Sequence, residues 1–223
     1  MNRPYKYISA SVKGVERRIN QDRIFIIENN RVSIFMLFDG VSSYSSSYLF
    51  IEKYVDILRS KNEESEINGT NLSEVLFDTH SAILKMDTPG MSTLSLFCRS
   101  PSFKGKGYII NIGDSGIYAL TNRSFEKITH DDALPGYLNV LTRCLGMNSL
   151  SLEDFTGREI NIPPKILLCT DGFSNLMKEN KQEYFRVFNF KRPGFIKRKI
   201  SDLQRGHNAD DASYILIQNH VSD

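Results

Sequence analysis

Four short acidic motifs, Asn20-Gln21-Asp22, Phe38-Asp39-Gly40, Thr170-Asp171-Gly172 and Ala209-Asp210-Asp211, stand where hydrophobic runs stop. Two of them follow unbroken apolar stretches, Ile34-Phe35-Met36-Leu37-Phe38 and Ile166-Leu167-Leu168-Cys169. Their length and flanking turn residues predict buried strands. An aspartate at the end of a buried strand points into a cleft. Several carboxylates gathered there repel one another and resist ionising unless positive charge lies between them, and a divalent metal supplies it. Soft metals fit poorly: no Cys-x-x-Cys pair exists, and His80, His130, His207 and His220 are scattered. Hard, oxygen-bound Mg²⁺ or Mn²⁺ suits carboxylate, carbonyl and water ligands.

Cysteine chemistry is excluded on spacing. Cys98, Cys144 and Cys169 are odd in number and lie among apolar neighbours, which predicts reduced core thiols. A cysteine-dependent phosphatase needs an Arg six residues after the Cys, and those positions hold Lys104, Leu150 and Asn175. With 223 residues, 40% of them hydrophobic, and no Pro/Gly/Ser-rich linker, the chain reads as a single domain spanning residues 1–223. A formal charge of +2 implies no nucleic-acid partner, although residues 191–199 hold five Lys/Arg, read as a solvated helix face. Met1-Asn2-Arg3-Pro4-Tyr5-Lys6 leads into no signal-peptide core, and no run approaches a membrane span. A cytoplasmic protein with no membrane partner is expected.

The elements that must position the acidic motifs come in blocks rather than in strict βαβ alternation. Strands are expected at 5–12, 23–28 and 32–38, then a helix at 45–59 from the spacing of Leu49, Ile51, Tyr54, Val55 and Leu58. A polar loop at 62–70 precedes a second helix at 72–86, with His80 an isolated histidine in a surface or satisfied role. Residues 92–128 read as an antiparallel meander with strands at 92–99, 107–112, 116–120 and 125–128. An aperiodic stretch at 129–164 is the expected mobile loop or lid. A strand at 165–170, helical regions at 174–188 and 194–205 and a last strand at 212–218 complete the chain.

The order of motifs resembles the metal-dependent type 2C serine/threonine protein phosphatases over residues 8–218. The matching pieces are Arg17-Arg18-Ile19-Asn20-Gln21-Asp22, Phe38-Asp39-Gly40, Ser92-Thr93, Asn111-Ile112-Gly113-Asp114-Ser115, Leu141-Thr142-Arg143-Cys144-Leu145-Gly146, Leu167-Leu168-Cys169-Thr170-Asp171-Gly172 and Asp210-Asp211-Ala212-Ser213. The resemblance implies an α+β fold, a four-layer α-β-β-α sandwich of two packed antiparallel sheets flanked by helices. It implies that Asp39 bridges two Mg²⁺ or Mn²⁺ ions, that Asp22 and the Gly40 carbonyl hold one, and that Asp171 and Asp210 hold the other. Asp114 matches the ligand of a third, weaker ion, and Arg17 the phosphate-binding arginine. Arg18, its neighbour on an extended segment, would face away.

The chemistry agrees with the residues: phosphate monoesters are dianions, and two metal ions neutralise charge and activate water together. The implied substrate is a phosphorylated protein, with a Ser/Thr kinase or its target as partner. Departures from the family pattern are Val41 where many relatives carry a His, Ser42-Ser43-Tyr44 for small glycines, Met91 before Ser92-Thr93, and Gly116 for an Arg. The flap region between Ile128 and Ile166 is short. The alternative is an inactive phosphatase-like module that binds a phosphoprotein or partner. A haloacid-dehalogenase site is excluded, because it needs a second Asp two residues from Asp39, where Leu37 and Val41 stand.

Overall fold

The structure is a computed structural model and describes residues 5–29, 31–121 and 123–219; His220 and residues 1–4 lie outside that set. In chain order the elements are β1 (Tyr5–Val12), β2 (Arg23–Glu28), β3 (Ser33–Phe38), α1 (Ser47–Glu64), α2 (Leu72–Leu84) and β4 (Leu94–Arg99). Then come β5 (Gly107–Ile112), β6 (Gly116–Leu120), β7 (Phe125–Lys127), β8 (Ala133–Leu134), β9 (Tyr137–Leu141) and β10 (Arg158–Ile160). The chain closes with β11 (Lys165–Cys169), α3 (Asp171–Glu179), α4 (Lys181–Phe188), α5 (Pro193–Gln204) and β12 (Ala212–Asn219).

Two antiparallel sheets result, ordered β1-β12-β11-β6-β7 and β10-β5-β4-β3-β2, with β8 and β9 forming a separate hairpin. Side chains alternate across each strand, and the burial follows that period. In β3, Phe35 and Leu37 face inward with Ile166 and Leu168 of β11 and Ile215 and Ile217 of β12. Ile34, Met36 and Phe38 face outward onto Phe50, Ile51 and Tyr54 of α1 and Leu76 of α2. On the far side, Leu167, Cys169, Tyr214 and Leu216 meet Phe173, Met177, Tyr184 and Ile196 of α3 to α5. A continuous apolar run in β3 and β11 is thus the signature of strands covered on both faces. Burial of each such side chain contributes about 1.5–3 kcal/mol, against about 0–1 kcal/mol for an exposed ion pair, so the three apolar layers hold the sandwich.

Several expectations need correction. The 92–128 segment is not one meander: β4 and β5 belong to one sheet and β6 and β7 to the other, and the chain crosses between them at Gly113, where φ is +103°. That backbone conformation strongly favours glycine. Helix α1 runs on through Lys61 to Glu64 into the expected polar loop, because Lys and Glu are good helix formers and Lys61 sits in the last turn. The 174–188 helix starts earlier and divides at Asn180, whose φ of −118° and ψ of 39° leave the helical region. The 129–164 stretch is not aperiodic throughout: it holds the β8–β9 hairpin and β10, which pairs with the edge of β5.

Candidate active site

The sandwich gathers the acidic motifs at one end. Asp39 follows β3 directly, and its backbone is splinted to the neighbouring segment: its carbonyl accepts from the Thr93 amide (2.9 Å) and the Ser92 hydroxyl (3.0 Å), and its amide donates to Thr93 Oγ1 (3.2 Å). Gly40 continues that contact by pairing with Ser92. A Cβ on Gly40 would stand 2.8 Å from Gln21 Cβ and 2.9 Å from the Gln21 carbonyl, so only glycine lets these segments approach.

Asp171 is the first residue of α3, two residues beyond the end of β11. Its position at a helix N-terminus is favourable for a carboxylate. Asp210 and Asp211 lie in the loop before β12. Thr170 and Ser213 lock the two segments together, the Thr170 amide donating to the Ser213 carbonyl (3.1 Å) and the Ser213 amide to Thr170 Oγ1 (3.0 Å). Gly172 is packed still more closely than Gly40: a Cβ there would lie 2.2 Å from the Asp211 carbonyl oxygen. Asp22 sits below the cleft, 2% exposed, and accepts from Thr170 Oγ1 at 3.3 Å.

Arg17, Gln21, Asp39, Gly40, Thr93, Asp114, Leu141, Asp171 and Asp210 line a cleft of about 240 Å³. Arg17 grips Asp210 with both arms of its guanidinium, Nε to Oδ1 at 2.6 Å and Nη2 to Oδ2 at 2.5 Å, while Arg18 is exposed. Asp211 plays a different part from its neighbour. Its carboxylate accepts from the Gly14 amide (2.8 Å) and the Gln21 amide (2.7 Å), fastening the Arg17 loop to the Asp210 loop.

The electrostatics are those of uncompensated negative charge. Burial, then the charges of Asp211 and Asp171, push the Asp22 carboxyl up to about 7. Burial and the charges of Asp22, Asp171, Asp114 and Asp210 hold Asp39 well above the usual carboxylate range. Asp171 is raised by burial and then by Asp210, and Asp114 is pushed up to about 6 by burial and then by Asp171. Arg17 is the cation in the same cleft, raised chiefly by its hydrogen bonds to Asp210.

The residues fit hard divalent ions. The donors are carboxylates and a glycine carbonyl, and the buried atoms Asp22 Oδ1 and Gln21 Oε1 have no hydrogen-bond partner. No three His, Cys, Asp or Glu side chains among the described residues already stand in metal-holding geometry, and Asp210 is engaged by Arg17.

The structure brings Asp39, Asp114, Asp171, Asp210, Gly40 and Arg17 around one cleft, whereas Asp22, expected among the same ligands, is buried outside the residues that line it. Sequence reasoning gave no role to Asp211, Gln21 or Leu141. The doubled acid Asp210-Asp211 was the available signal, since two adjacent carboxylates on a loop point to different partners. Of the two roles expected for His80, surface or satisfied, the second fits its Nε2: the ring is buried, Nε2 accepts from the Gly146 amide (3.1 Å), and burial pushes the imidazole down to about 4. Its Nδ1 is buried without a partner. The three cysteines are free and buried, as core thiols. Lys191, Arg192, Lys197 and Arg198 are exposed, with the Arg198 guanidinium stacked on Phe195.

The fold has counterparts among solved structures. Serine/threonine phosphatase Stp1 from Staphylococcus aureus superposes with a TM-score of 0.76 at 18% identity, over 96% of this chain and 94% of that one. The catalytic domain of the serine/threonine protein phosphatase PstP, solved with two manganese ions, superposes with a TM-score of 0.73 at 18% identity, over 96% and 97%. By sequence, the serine/threonine phosphatase stp of Listeria welshimeri is 25% identical over 204 residues, covering 77% of this chain and 79% of that protein. No helix among the described residues is long and apolar enough to cross a membrane. The protein phosphatase 2C family model matches residues 15–194, most of the chain with Arg17, Asp22, Asp39, Asp114 and Asp171 inside the match, and the chain belongs to that family.

Proposed function

We infer that the chain is a metal-dependent serine/threonine protein phosphatase that hydrolyses phosphoserine and phosphothreonine in proteins. The observation that carries this reading is the gathering of Asp39, Asp114, Asp171 and Asp210 with Arg17 around one cleft, above buried Asp22. Two Mg²⁺ or Mn²⁺ ions, when bound, supply charge neutralisation and a water activated for attack on phosphorus. Asp39 would be shared by both ions, Asp22 and the Gly40 carbonyl would hold one, Asp171 and Asp210 the other, and Asp114 a third, weaker one.

With Asp210 serving as a metal ligand, Arg17 would be free to present its two N–H groups to phosphate oxygens, the geometry a guanidinium fork suits. Val41 cannot protonate the leaving alkoxide, so that proton comes from water or another group. The substrate class is a phosphorylated protein in the cytoplasm, with a Ser/Thr kinase or its target as partner and residues 1–223 as one catalytic domain. The names of the Listeria relatives support serine/threonine specificity.

The test is hydrolysis of p-nitrophenyl phosphate and a phosphothreonine peptide with Mn²⁺, Mg²⁺ or EDTA. Release with metal and none with EDTA is the expected result. Metal binding by calorimetry without release under any metal would instead favour an inactive module that recognises a phosphoprotein.

A further inference from the structure

The β8–β9 hairpin departs at Asp132 and returns at Thr142, whose amide donates to the Asp132 carbonyl (2.8 Å). The next residue, Arg143, spreads its guanidinium between two carboxylates, Nη2 to Asp132 Oδ1 at 2.7 Å and Nη1 to Asp154 Oδ1 at 2.8 Å. Each carboxylate spends its second oxygen on backbone. Asp132 Oδ2 accepts from the Gly113 amide (2.9 Å), and the Asp132 amide donates to the Gly113 carbonyl (3.0 Å). Asp154 Oδ2 accepts from the Ser151 amide (2.8 Å) and hydroxyl (3.1 Å).

This is more than a surface ion pair. The side chains of Asp132 and Asp154 are 13% and 17% exposed, so both are largely withdrawn from water, and neither can relax without freeing a backbone amide. The Gly113 turn is confined on its other side as well, since a Cβ there would stand 2.6 Å from Thr93 Cγ2. The residue after Gly113 is Asp114, on the cleft wall, and the last residue of β9 is Leu141, also on that wall.

We propose that Arg143, Asp132 and Asp154 are positioning residues: one guanidinium fork fixes the Asp114 turn and the root of the β8–β9 hairpin relative to each other. Its catalytic consequence rests on the phosphatase reading above. A phosphopeptide must lie across the rim that Asp114, Leu141 and the hairpin form. A small aryl phosphate is too short to lie across that rim. The fork therefore governs peptide binding more than turnover.

The test uses the full chain with Arg143→Lys, Asp154→Asn and the double variant, read by hydrogen exchange and by kinetics. Lys keeps the charge and loses the fork. Arg143→Lys should raise amide exchange in residues 111–115 by about tenfold while β11 stays unchanged. In the same variant KM for the phosphothreonine peptide should rise about fivefold, with kcat and p-nitrophenyl phosphate turnover within about twofold. The double variant should add nothing beyond Arg143→Lys, because both act through one fork. Unchanged exchange at 111–115, or an equal rise in β11, overturns the positioning role. An unchanged peptide KM in an active enzyme overturns its catalytic consequence. A wild type that hydrolyses neither substrate overturns the phosphatase reading, and the exchange data still decide the fork. If Arg143→Lys does not fold, Asp154→Asn, which removes one arm only, carries the same comparison.

Discussion

At the floor of the cleft Asp39 follows β3 directly and Asp171 opens α3 just past β11, both strands buried on both faces; Thr93 and Ser92 hold the Asp39 backbone, and Ser213 holds that of Thr170 beside Asp171. At the rim, Asp114 and the β8–β9 hairpin hang from Arg143, Asp132 and Asp154, side chains drawn from three separate segments. The floor is positioned by sheet hydrogen bonds and apolar layers, which break only with the fold. The rim is positioned by charge-assisted contacts that can be removed singly. Chemistry that needs sub-ångström placement sits on the first kind of support, and substrate selection can vary on the second.

The sharpest way to break this contrast is at the floor. Asp39→Asn removes charge without bulk and should lower kcat by about a thousandfold or more, since charge stabilisation by bound metal is worth several kcal/mol. Circular dichroism should be unchanged. Activity within tenfold of wild type would show that Asp39 does not organise the reaction. Gly172→Ala should act on structure instead. Its Cβ would meet the Asp211 carbonyl at 2.2 Å, so the Asp210 loop must shift, at a cost of about 1–3 kcal/mol in urea unfolding. A stability loss below about 0.5 kcal/mol would mean that the loop is softer than its packing suggests.

Those floor residues were legible for a physical reason. A buried strand leaves an unbroken apolar run, so the aspartate that ends it is marked by both composition and position, as with Phe38-Asp39 and Cys169-Thr170-Asp171. Strand bounds were legible too, and β1, β2, β5 and β6 fall where the alternation and turn residues place them. The crossing at Gly113 was not, because four strands in a row look the same whether they pair in one sheet or divide between two. Asp132 and Asp154 were hidden for a similar reason. They lie 11 residues before and 11 after Arg143, and loop carboxylates carry no period to connect them. Asp211 was masked by Asp210, since a motif match fixes one residue and leaves its neighbour unread.

Protons act with opposite signs on the carboxylates that line or underlie the cleft, Asp114 of the rim among them, and on Asp154. Asp22, raised from 3.8 to about 7, and Asp39, Asp114 and Asp171, shifted the same way, hold protons more tightly folded than unfolded. Folding without metal therefore takes up protons between about pH 4 and 7, and the stability from these groups is full at the acid end and lost as pH rises through that window. In EDTA the melting temperature should fall by about 3–5 °C between pH 5 and 8, and Mn²⁺ should abolish the fall. Asp154 at the rim behaves in reverse. Partial burial works to raise it, but the Ser151 amide and Arg143 outweigh that and hold it low, so its contribution is lost as pH falls. A melting temperature in EDTA that rises steadily to pH 8 would mean that the floor carboxylates are relieved of one another without metal.

The smallest effect should come from the hairpin tip. Tyr137 is 66% exposed and Val140 49%, so Tyr137→Ser removes little packing, and urea stability should stay within about 0.5 kcal/mol of wild type. Turnover of p-nitrophenyl phosphate should stay within about twofold, because Tyr137 is not among the described residues that line the cleft or bond Arg143. A phosphopeptide series with varied flanking residues then reads the rim alone. If Tyr137→Ser shifts KM for peptides carrying an apolar flank while the small substrate is unmoved, the rim selects substrates from a support separate from the floor. Equal losses on both substrates would show that the hairpin and the floor are one mechanical unit, and the division between them would fail.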